Sequence, residues 1–138
     1  MERREFLGSL SGPVVAVCAV CMGACSKSSG GSNVTAPTAN FTIDLATNLS
    51  GIGSTIVQDG VIVVRLAAGN SVSSFTAVQV ACTHEGTNIN WNTGQNKFIC
   101  PNHGSTFTSG GSVTLGPASS NLKVYNLSIN GTILTVAG

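Results

Sequence analysis

Two short segments of the chain carry cysteine and histidine at close spacing. The first is Cys82-Thr83-His84 and the second is Cys100-Pro101-Asn102-His103, with residues 85–99 between them. Each segment offers one thiolate and one imidazole, and both are good ligands for the softer transition metals. They contain both histidines and two of the five cysteines of the 138-residue chain. The pattern predicts a metal site built from two loops.

The arrangement of these four ligands leaves two kinds of metal site open. A tetrahedral zinc site could use the same four atoms, but its usual spacing pairs cysteine with cysteine and histidine with histidine. Here each pair is mixed. A cluster of two metals fits mixed pairs better, because each loop can reach both metals. A structural zinc module that binds a partner is the alternative from a different functional class.

The two segments resemble the ligand boxes of the Rieske [2Fe-2S] proteins. The matching stretches are Cys82-Thr83-His84-Glu85-Gly86 and Cys100-Pro101-Asn102-His103-Gly104-Ser105. The likeness extends to Gly110-Gly111 and to Leu115-Gly116-Pro117-Ala118, which resembles the proline-containing loop that covers the cluster from a third side. The resemblance implies an all-β fold, in which a Rieske-type antiparallel β-sandwich base carries an inserted cluster-binding subdomain.

The resemblance also implies a [2Fe-2S] cofactor and a role for each ligand. Cys82 and Cys100 would bind the buried iron, whereas His84 and His103 would bind the outer iron, with their remaining ring nitrogens facing solvent or a redox partner. Two neutral imidazoles in place of two thiolates remove negative charge from the cluster, so adding an electron costs less free energy.

Five more residues are expected around the cluster: Gly86, Gly104, Ser105, Phe107 and Pro117. The two loop glycines let backbone amides approach the cluster sulfurs without an intervening side chain. Ser105 matches a serine whose hydroxyl bonds to a bridging sulfide in high-potential members. Phe107 stands where those members have a tyrosine that bonds to a ligand thiolate. With one of the two hydroxyl donors present, we expect a reduction potential between ferredoxin-like and quinol-oxidising values.

The chain departs from the quinol-oxidising members at three further positions. Those proteins usually carry an extra cysteine in each loop, and the two form a disulfide. The corresponding residues here are Thr87 and Asn102, so the loops are expected to be held only by hydrogen bonds and the metal. Glu85, next to His84, occupies an often apolar position on the docking surface. A carboxylate there is expected to favour the protonated imidazole and to disfavour added electrons.

Apolar–polar alternation, β-branched residues and turn dipeptides predict the strands that position these loops. The predicted strands are 41–45, 55–58, 61–66, 75–81, 122–129 and 132–136. Asp59-Gly60 and Asn130-Gly131 suit the tight turns of two hairpins. Trp91 is expected to pack under the cluster-binding subdomain, and Arg65 is expected to lie on the solvated surface. No segment of ten or more residues after Cys25 has a convincing helical period.

The first 25 residues resemble an export signal. Arg3-Arg4 precedes an uncharged stretch over 6–24, as in the twin-arginine signals of bacteria. Met22-Gly23-Ala24-Cys25 resembles the lipobox of bacterial lipoproteins, in which the cysteine is lipidated. An uncleaved N-terminal helix is the alternative anchor. We therefore expect a signal peptide over 1–24, a flexible linker over 25–40 and a Rieske domain over 41–138, with the cluster-binding subdomain at about 81–118.

Charged residues make up only 8% of the chain, and the formal net charge is +1. Because no basic stripe is present, nucleic acid is not an expected partner. We expect electron transfer on the periplasmic side of a bacterial membrane, in an iron-sulfur subunit of a quinol:cytochrome c type oxidoreductase that is not catalytic alone. The alternatives are a stand-alone lipoprotein carrier and a small subunit of another exported oxidoreductase. Expected partners are a cytochrome, a quinol or a cytochrome b subunit, and the membrane.

Overall fold

The computed structural model describes residues 34–138, which form ten β-strands and one turn of 3-10 helix (Val72–Ser74). The predicted signal peptide, Cys25 and the linker up to residue 33 lie outside the described residues. Within residues 34–138, no helix is long and apolar enough to cross a membrane. The strands form three antiparallel sheets. The prediction of an all-β fold is therefore confirmed.

The first sheet joins the beginning and the end of the described chain. Its order is β1-β10-β9, with β1 at Asn40–Asp44, β9 at Asn126–Asn130 and β10 at Ile133–Ala137. The predicted hairpin between β9 and β10 is confirmed, but its two turn residues are Gly131 and Thr132, because Asn130 still pairs with Ile133. Gly131 has a φ of 61°, and glycine is the residue that takes this conformation at the first turn position with least strain.

The second sheet lies at the centre of the fold. Its order is β2-β3-β4, with β2 at Thr55–Gln58, β3 at Val61–Arg65 and β4 at Phe75–Gln79. The predicted turn at Asp59-Gly60 is confirmed, because both residues have positive φ angles, of 51° and 77°. Every residue of β3 and β4 is buried. These two strands must therefore be covered on both faces.

The third sheet carries the candidate metal site. Its four strands have the order β5-β6-β7-β8, and each contains only three residues. The strands are β5 (Asn90–Asn92), β6 (Lys97–Ile99), β7 (Thr106–Thr108) and β8 (Val113–Leu115). All of them fall between residues 81 and 118, although the sequence pattern predicted none of them individually. Segments of three residues are too short to show a reliable period.

Two separate hydrophobic cores lie on either side of the central sheet. Alternate side chains of a strand point to opposite faces, so Val61 and Val63 of β3 enter the core shared with the first sheet. Ile62 and Val64 enter the second core, which is shared with the third sheet and contains the two candidate ligand cysteines. One face of the central sheet thus packs under the metal site, and the first sheet covers the opposite face of the central sheet.

The segment before β9 differs from its prediction as a single strand over 122–129. Residues 122–125 lie along β4, where the Gln79 N–H donates to the Lys123 carbonyl at 2.9 Å and the Tyr125 N–H donates to the Ala77 carbonyl at 2.9 Å. The chain then leaves β4, and β9 pairs with β10 in the first sheet. One apolar run therefore serves two sheets, which a continuous pattern of alternation does not reveal.

Arg65 is buried rather than solvated, so its prediction was wrong. Its side chain is only 6% exposed. The guanidinium donates to the carbonyls of Leu49 and Gly69 and, at 3.0 Å, to the Asn70 side chain. It also lies over the Phe75 ring, 4.6 Å from the centroid. These contacts satisfy a buried charge with carbonyl oxygens and an aromatic face, which compensates its loss of water.

Candidate metal centre

The two ligand segments form loops with the same backbone framework. Loop 1 (residues 82–87) connects β4 to β5, and loop 2 (residues 100–105) connects β6 to β7. In loop 1, the Cys82 N–H donates to the Thr87 carbonyl and the Gly86 N–H donates to the Cys82 carbonyl, both at 2.8 Å. In loop 2, the Cys100 N–H donates to the Ser105 carbonyl at 2.8 Å and the Gly104 N–H donates to the Cys100 carbonyl at 3.0 Å. Each loop is thus closed on its cysteine.

A glycine in the left-handed region completes each turn. Gly86 has a φ of 80° and Gly104 a φ of 79°. Residues with a side chain adopt this conformation at a cost of about 1–2 kcal/mol. The glycines therefore permit the turns in which the Gly86 and Gly104 N–H groups bond back to the carbonyls of Cys82 and Cys100. The sequence predicted both glycines near the site, and the structure places them in equivalent positions.

The two cysteines lie next to each other at the bottom of the site. Both are buried free thiols. Burial raises the pKa of the Cys82 thiol above its usual range, and the Cys100 thiol beside it raises the pKa further. The backbone amides of His84 and Glu85 lower the pKa of the Cys82 thiol and so act in the opposite direction. These amides would stabilise a thiolate once a metal replaces the proton.

The two histidines meet at the top of the site. Their ring centroids are 5.0 Å apart, and the planes are inclined at 80°. The His103 side chain is 44% exposed, and His84 is half-buried. The loops therefore separate the four predicted ligands by depth, with thiols inside and imidazoles outside.

A third segment, the cover loop (residues 115–120), is tied to both ligand loops. The Ala118 N–H donates to the Ser105 hydroxyl oxygen at 3.0 Å, and the Thr83 hydroxyl donates to the Ser120 carbonyl at 2.7 Å. Ser105 is fully buried, whereas Pro117 is exposed at the surface. Ser105 and Pro117 were predicted from the sequence, whereas Thr83 was not, although its hydroxyl lies between two ligand positions of the chain.

Glu85 contacts the opposite loop. Its Oε2 accepts a hydrogen bond from the Asn102 amide at 3.0 Å and lies 3.6 Å from His103 Nδ1. From the sequence alone, this carboxylate was expected to act on His84, its neighbour in the chain. The structure gives it polar contacts with loop 2 instead. Donor atoms of Glu85 and both histidines lie within 4.8 Å of one another.

A layer of aromatic side chains lies on the third sheet, in the second core. Phe98 and Phe107 are fully buried and stand opposite each other on β6 and β7. Trp91 packs edge-on against Phe98, with ring centroids 4.9 Å apart, in the position expected under this subdomain. Burying one such ring contributes about 2–3 kcal/mol. The ligand loops therefore pack against a layer of buried aromatic side chains.

The donor set fits a two-iron cluster that binds two thiolates and two imidazoles. The thiols are adjacent and buried, the imidazoles are adjacent and partly exposed, and two backbone amides lower the pKa of the Cys82 thiol. In a cluster in which two histidines replace two cysteines on one iron, the sulfur ligands lie on one side and the nitrogen ligands on the other. The donor set has this arrangement.

The Rieske [2Fe-2S] domain family matches residues 44–126 of the chain. This chain belongs to the Rieske [2Fe-2S] family. Its cofactor is accordingly a [2Fe-2S] cluster, and the match decides against the zinc alternative. The matched range contains both ligand loops, the cover loop and the central sheet.

Curated relatives of this Rieske domain are iron-sulfur subunits of cytochrome b6-f complexes. The chain is 39% identical over 64 residues to the cytochrome b6-f complex iron-sulfur subunit of Synechococcus sp. (strain CC9605), a match that covers 46% of the chain and 36% of that protein. It is 38% identical over 64 residues to the corresponding subunit of Prochlorococcus marinus (strain MIT 9303), with the same coverage. The chain thus matches about a third of the length of these relatives.

Solved structures confirm the Rieske-type fold. The plasma membrane Rieske protein of Synechocystis PCC 6803 is 35% identical, with a TM-score of 0.50, over 56% of this chain and 76% of that chain. A protein of a hyperthermophilic respiratory Complex III superposes over 87% of this chain and 89% of its own, with a TM-score of 0.54 and 21% identity. The latter likeness shows the fold alone.

Proposed function

We propose that this protein transfers electrons as the iron-sulfur subunit of an exported, membrane-tethered oxidoreductase of the quinol:cytochrome c type. The observation that carries the proposal is the separation of the ligands by depth. The thiols lie in the second core, and the histidine pair reaches the surface. A redox partner can approach the imidazoles directly while the protein interior keeps water from the sulfurs.

The residues of the site have distinct tasks in this proposal. When bound, the cluster supplies one-electron chemistry. Cys82 and Cys100 would hold it at the buried end of the site, and His84 and His103 would hold it at the exposed end. Because the Ser105 oxygen already accepts the Ala118 N–H, its own hydroxyl proton is free to donate to the cluster side. Such a bond stabilises added negative charge and raises the reduction potential.

The docking surface would surround the exposed histidine. Leu115 is 59% exposed and pairs with Thr106, the residue after Ser105. Pro117 is exposed in the same cover loop. Residues 34–138 carry only three basic and three acidic residues. Docking is therefore expected to depend on shape and apolar contact and to respond weakly to ionic strength.

Export and membrane attachment belong to the same proposal. Arg3-Arg4 and the Met22-Gly23-Ala24-Cys25 stretch support a twin-arginine lipoprotein signal, with Cys25 as the lipidated residue. An uncleaved helix over the same segment would also tether the domain. Either anchor would hold the domain on the periplasmic side of a bacterial membrane, where we propose that a cytochrome and a quinol or cytochrome b subunit are its partners.

Isolation of the tagged full chain from its native membranes tests the proposed subunit role. We expect a cytochrome b to co-purify in equal amount, and the cluster to be reduced by a quinol and oxidised by a cytochrome. Leu115→Ser should slow oxidation by the cytochrome, whereas Val124→Ser, at a similarly exposed apolar residue away from the ligand loops, should not. A chain without cytochrome b that still reduces a cytochrome would instead be a stand-alone carrier, the alternative favoured by the absence of cysteines at residues 87 and 102.

A further inference from the structure

The two ligand loops lack a covalent link, and Glu85 of loop 1 makes two polar contacts with loop 2. In the part of the chain that the structure describes, the Asn102 side-chain amide donates a hydrogen bond to Glu85 Oε2 at 3.0 Å, and the same oxygen lies 3.6 Å from His103 Nδ1. All other hydrogen bonds of the loops run within each loop, to the cover loop or to the adjoining strands. Glu85, with the hydrogen bond from Asn102 and the nearby His103, therefore joins the outer ends of the two loops.

Both partners of this bond are unusual for their positions. Asn102 and Thr87 occupy the places at which a disulfide joins the loops in quinol-oxidising members, and neither can form one. Glu85 brings a carboxylate to a position that is often apolar. Relative to those members, Asn102 removes a covalent bridge between the loops, and Glu85 adds a charge beside the ligands. The hydrogen bond between Glu85 and Asn102 accounts for both, because the carboxylate supplies the acceptor that the amide needs.

We propose that Glu85 and Asn102 form an inter-loop brace that positions the two histidine ligands. Glu85 follows His84 directly, and Asn102 precedes His103 directly. A bond between these residues therefore limits the separation of the two ligands at the level where the imidazoles meet. The cysteines need no such brace, because both are buried in the second core.

The expected strength of the brace follows from its exposure. The Glu85 side chain is 51% exposed, so water competes with the bond although one partner is charged. Contacts of this kind change an equilibrium by about fivefold or less. Opening of the loops exposes the metal site to solvent and chelators, so loss of the brace should speed cluster loss by up to about fivefold and leave the two cores intact.

A double-mutant cycle on the full chain tests the brace. The variants are Glu85→Leu, Asn102→Leu and their combination, and the readout is the rate at which the visible absorbance of the loaded protein disappears in excess chelator. Each single variant should lose the cluster about threefold to fivefold faster than the native chain, and the double variant no faster than the singles. Glu85→Gln keeps an acceptor oxygen and should restore most of the native lifetime. Asn88→Leu is the matched control, because Asn88 is exposed next to loop 1 and its side chain makes no hydrogen bond in residues 34–138.

A spectroscopic readout separates positioning from general stability. The reduced Asn102→Leu protein should give broadened electron paramagnetic resonance lines, because the histidines adopt a wider range of orientations, while its unfolding midpoint without metal stays native. If Asn102→Leu takes up too little iron to compare, Asn102→Asp removes the same donor and should shorten the lifetime at least as much. Additive effects of the two single variants, native lines in both, or a Glu85→Gln variant as labile as Glu85→Leu would overturn the proposal.

Discussion

Loop 1 and loop 2 have the same framework of hydrogen bonds but different surroundings. In both, a buried cysteine closes a turn through a glycine with a φ near 80°. The sixth residue distinguishes them. Thr87 of loop 1 is half-buried and makes no side-chain hydrogen bond among the described residues, whereas Ser105 of loop 2 is fully buried and bonded to the cover loop.

This difference separates two tasks that the loops perform. The cysteine and glycine positions create the ligand geometry, and they are equivalent in the two loops. In loop 2 and its surroundings, Ser105 and Phe107 are fully buried, and we propose that these two positions tune the reduction potential. Loop 1 instead makes its further contacts at the surface, through Thr83 to the cover loop and Glu85 to loop 2.

The largest effect is expected from removing the hydroxyl group at the sixth position of loop 2, and almost none from the same change in loop 1. Ser105→Ala should lower the reduction potential by about 60 mV, the one-electron equivalent of about 1.5 kcal/mol for a hydrogen bond to a charged group. Thr87→Val, the matched change in loop 1, should leave it within about 15 mV. Protein-film voltammetry measures both. Equal shifts in the two variants would show that the loops do not differ in tuning.

Substitution of the turn glycines tests the shared framework. Gly86→Ala and Gly104→Ala should each reduce the free energy of unfolding by about 1–2 kcal/mol, because each places a side chain at a positive φ. Urea unfolding of the full chain measures the loss. Gly110→Ala is the control, since Gly110 has no positive φ and its added Cβ would make only an ordinary contact at 3.8 Å. A loss in one loop alone would break the equivalence.

A hydroxyl added to loop 2's surroundings should sharpen the contrast. Phe107 is fully buried in the core that contains both ligand cysteines. Phe107→Tyr should raise the reduction potential by about 40 mV, equivalent to about 1 kcal/mol for one electron. Phe41→Tyr, in the core on the other face of the central sheet, is the control and should not shift it. An unchanged potential in the Phe107 variant would contradict the assignment of tuning to this side of the site.

The smallest effect concerns the metal-free protein at alkaline pH. Burial raises the pKa of the Cys82 thiol, so the unfolded chain releases this proton at a lower pH than the folded chain. The contribution of the Cys82 thiol to stability is therefore fully present below the ordinary thiol pKa of about 8.5. It is lost as the pH rises toward the pKa of this thiol in the folded chain. Urea unfolding at about pH 7 and about pH 9.5 should show this loss, and Cys82→Ser should reduce it. Equal losses of stability in the native chain and in Cys82→Ser would show that another group causes the pH dependence.

The sequence predicted those parts of the fold that depend on local patterns. The hairpin at Asp59-Gly60 and the ligand boxes are short-range features, and the structure contains the hairpin and brings the four ligands together. Residues 122–125 were misassigned because a single apolar run continues while the chain moves from β4 to the first sheet.

Contacts between distant segments could not be predicted. Arg65 is charged, and only the fold shows that the carbonyls of Leu49 and Gly69 surround it. The bond between Glu85 and Asn102 spans 17 positions of the chain, and residue types alone do not reveal it. Both cases involve polar side chains whose partners are set by tertiary structure.

Iron and sulfide analysis combined with electron paramagnetic resonance of the reduced full chain tests the central claim most directly. We predict about two irons and two acid-labile sulfides per chain, with nitrogen couplings from two histidines that are reduced to one in His84→Cys and in His103→Cys. Zinc without acid-labile sulfide, or nitrogen couplings that survive unchanged in both histidine variants, would contradict the assignment of Cys82, His84, Cys100 and His103 as the cluster ligands.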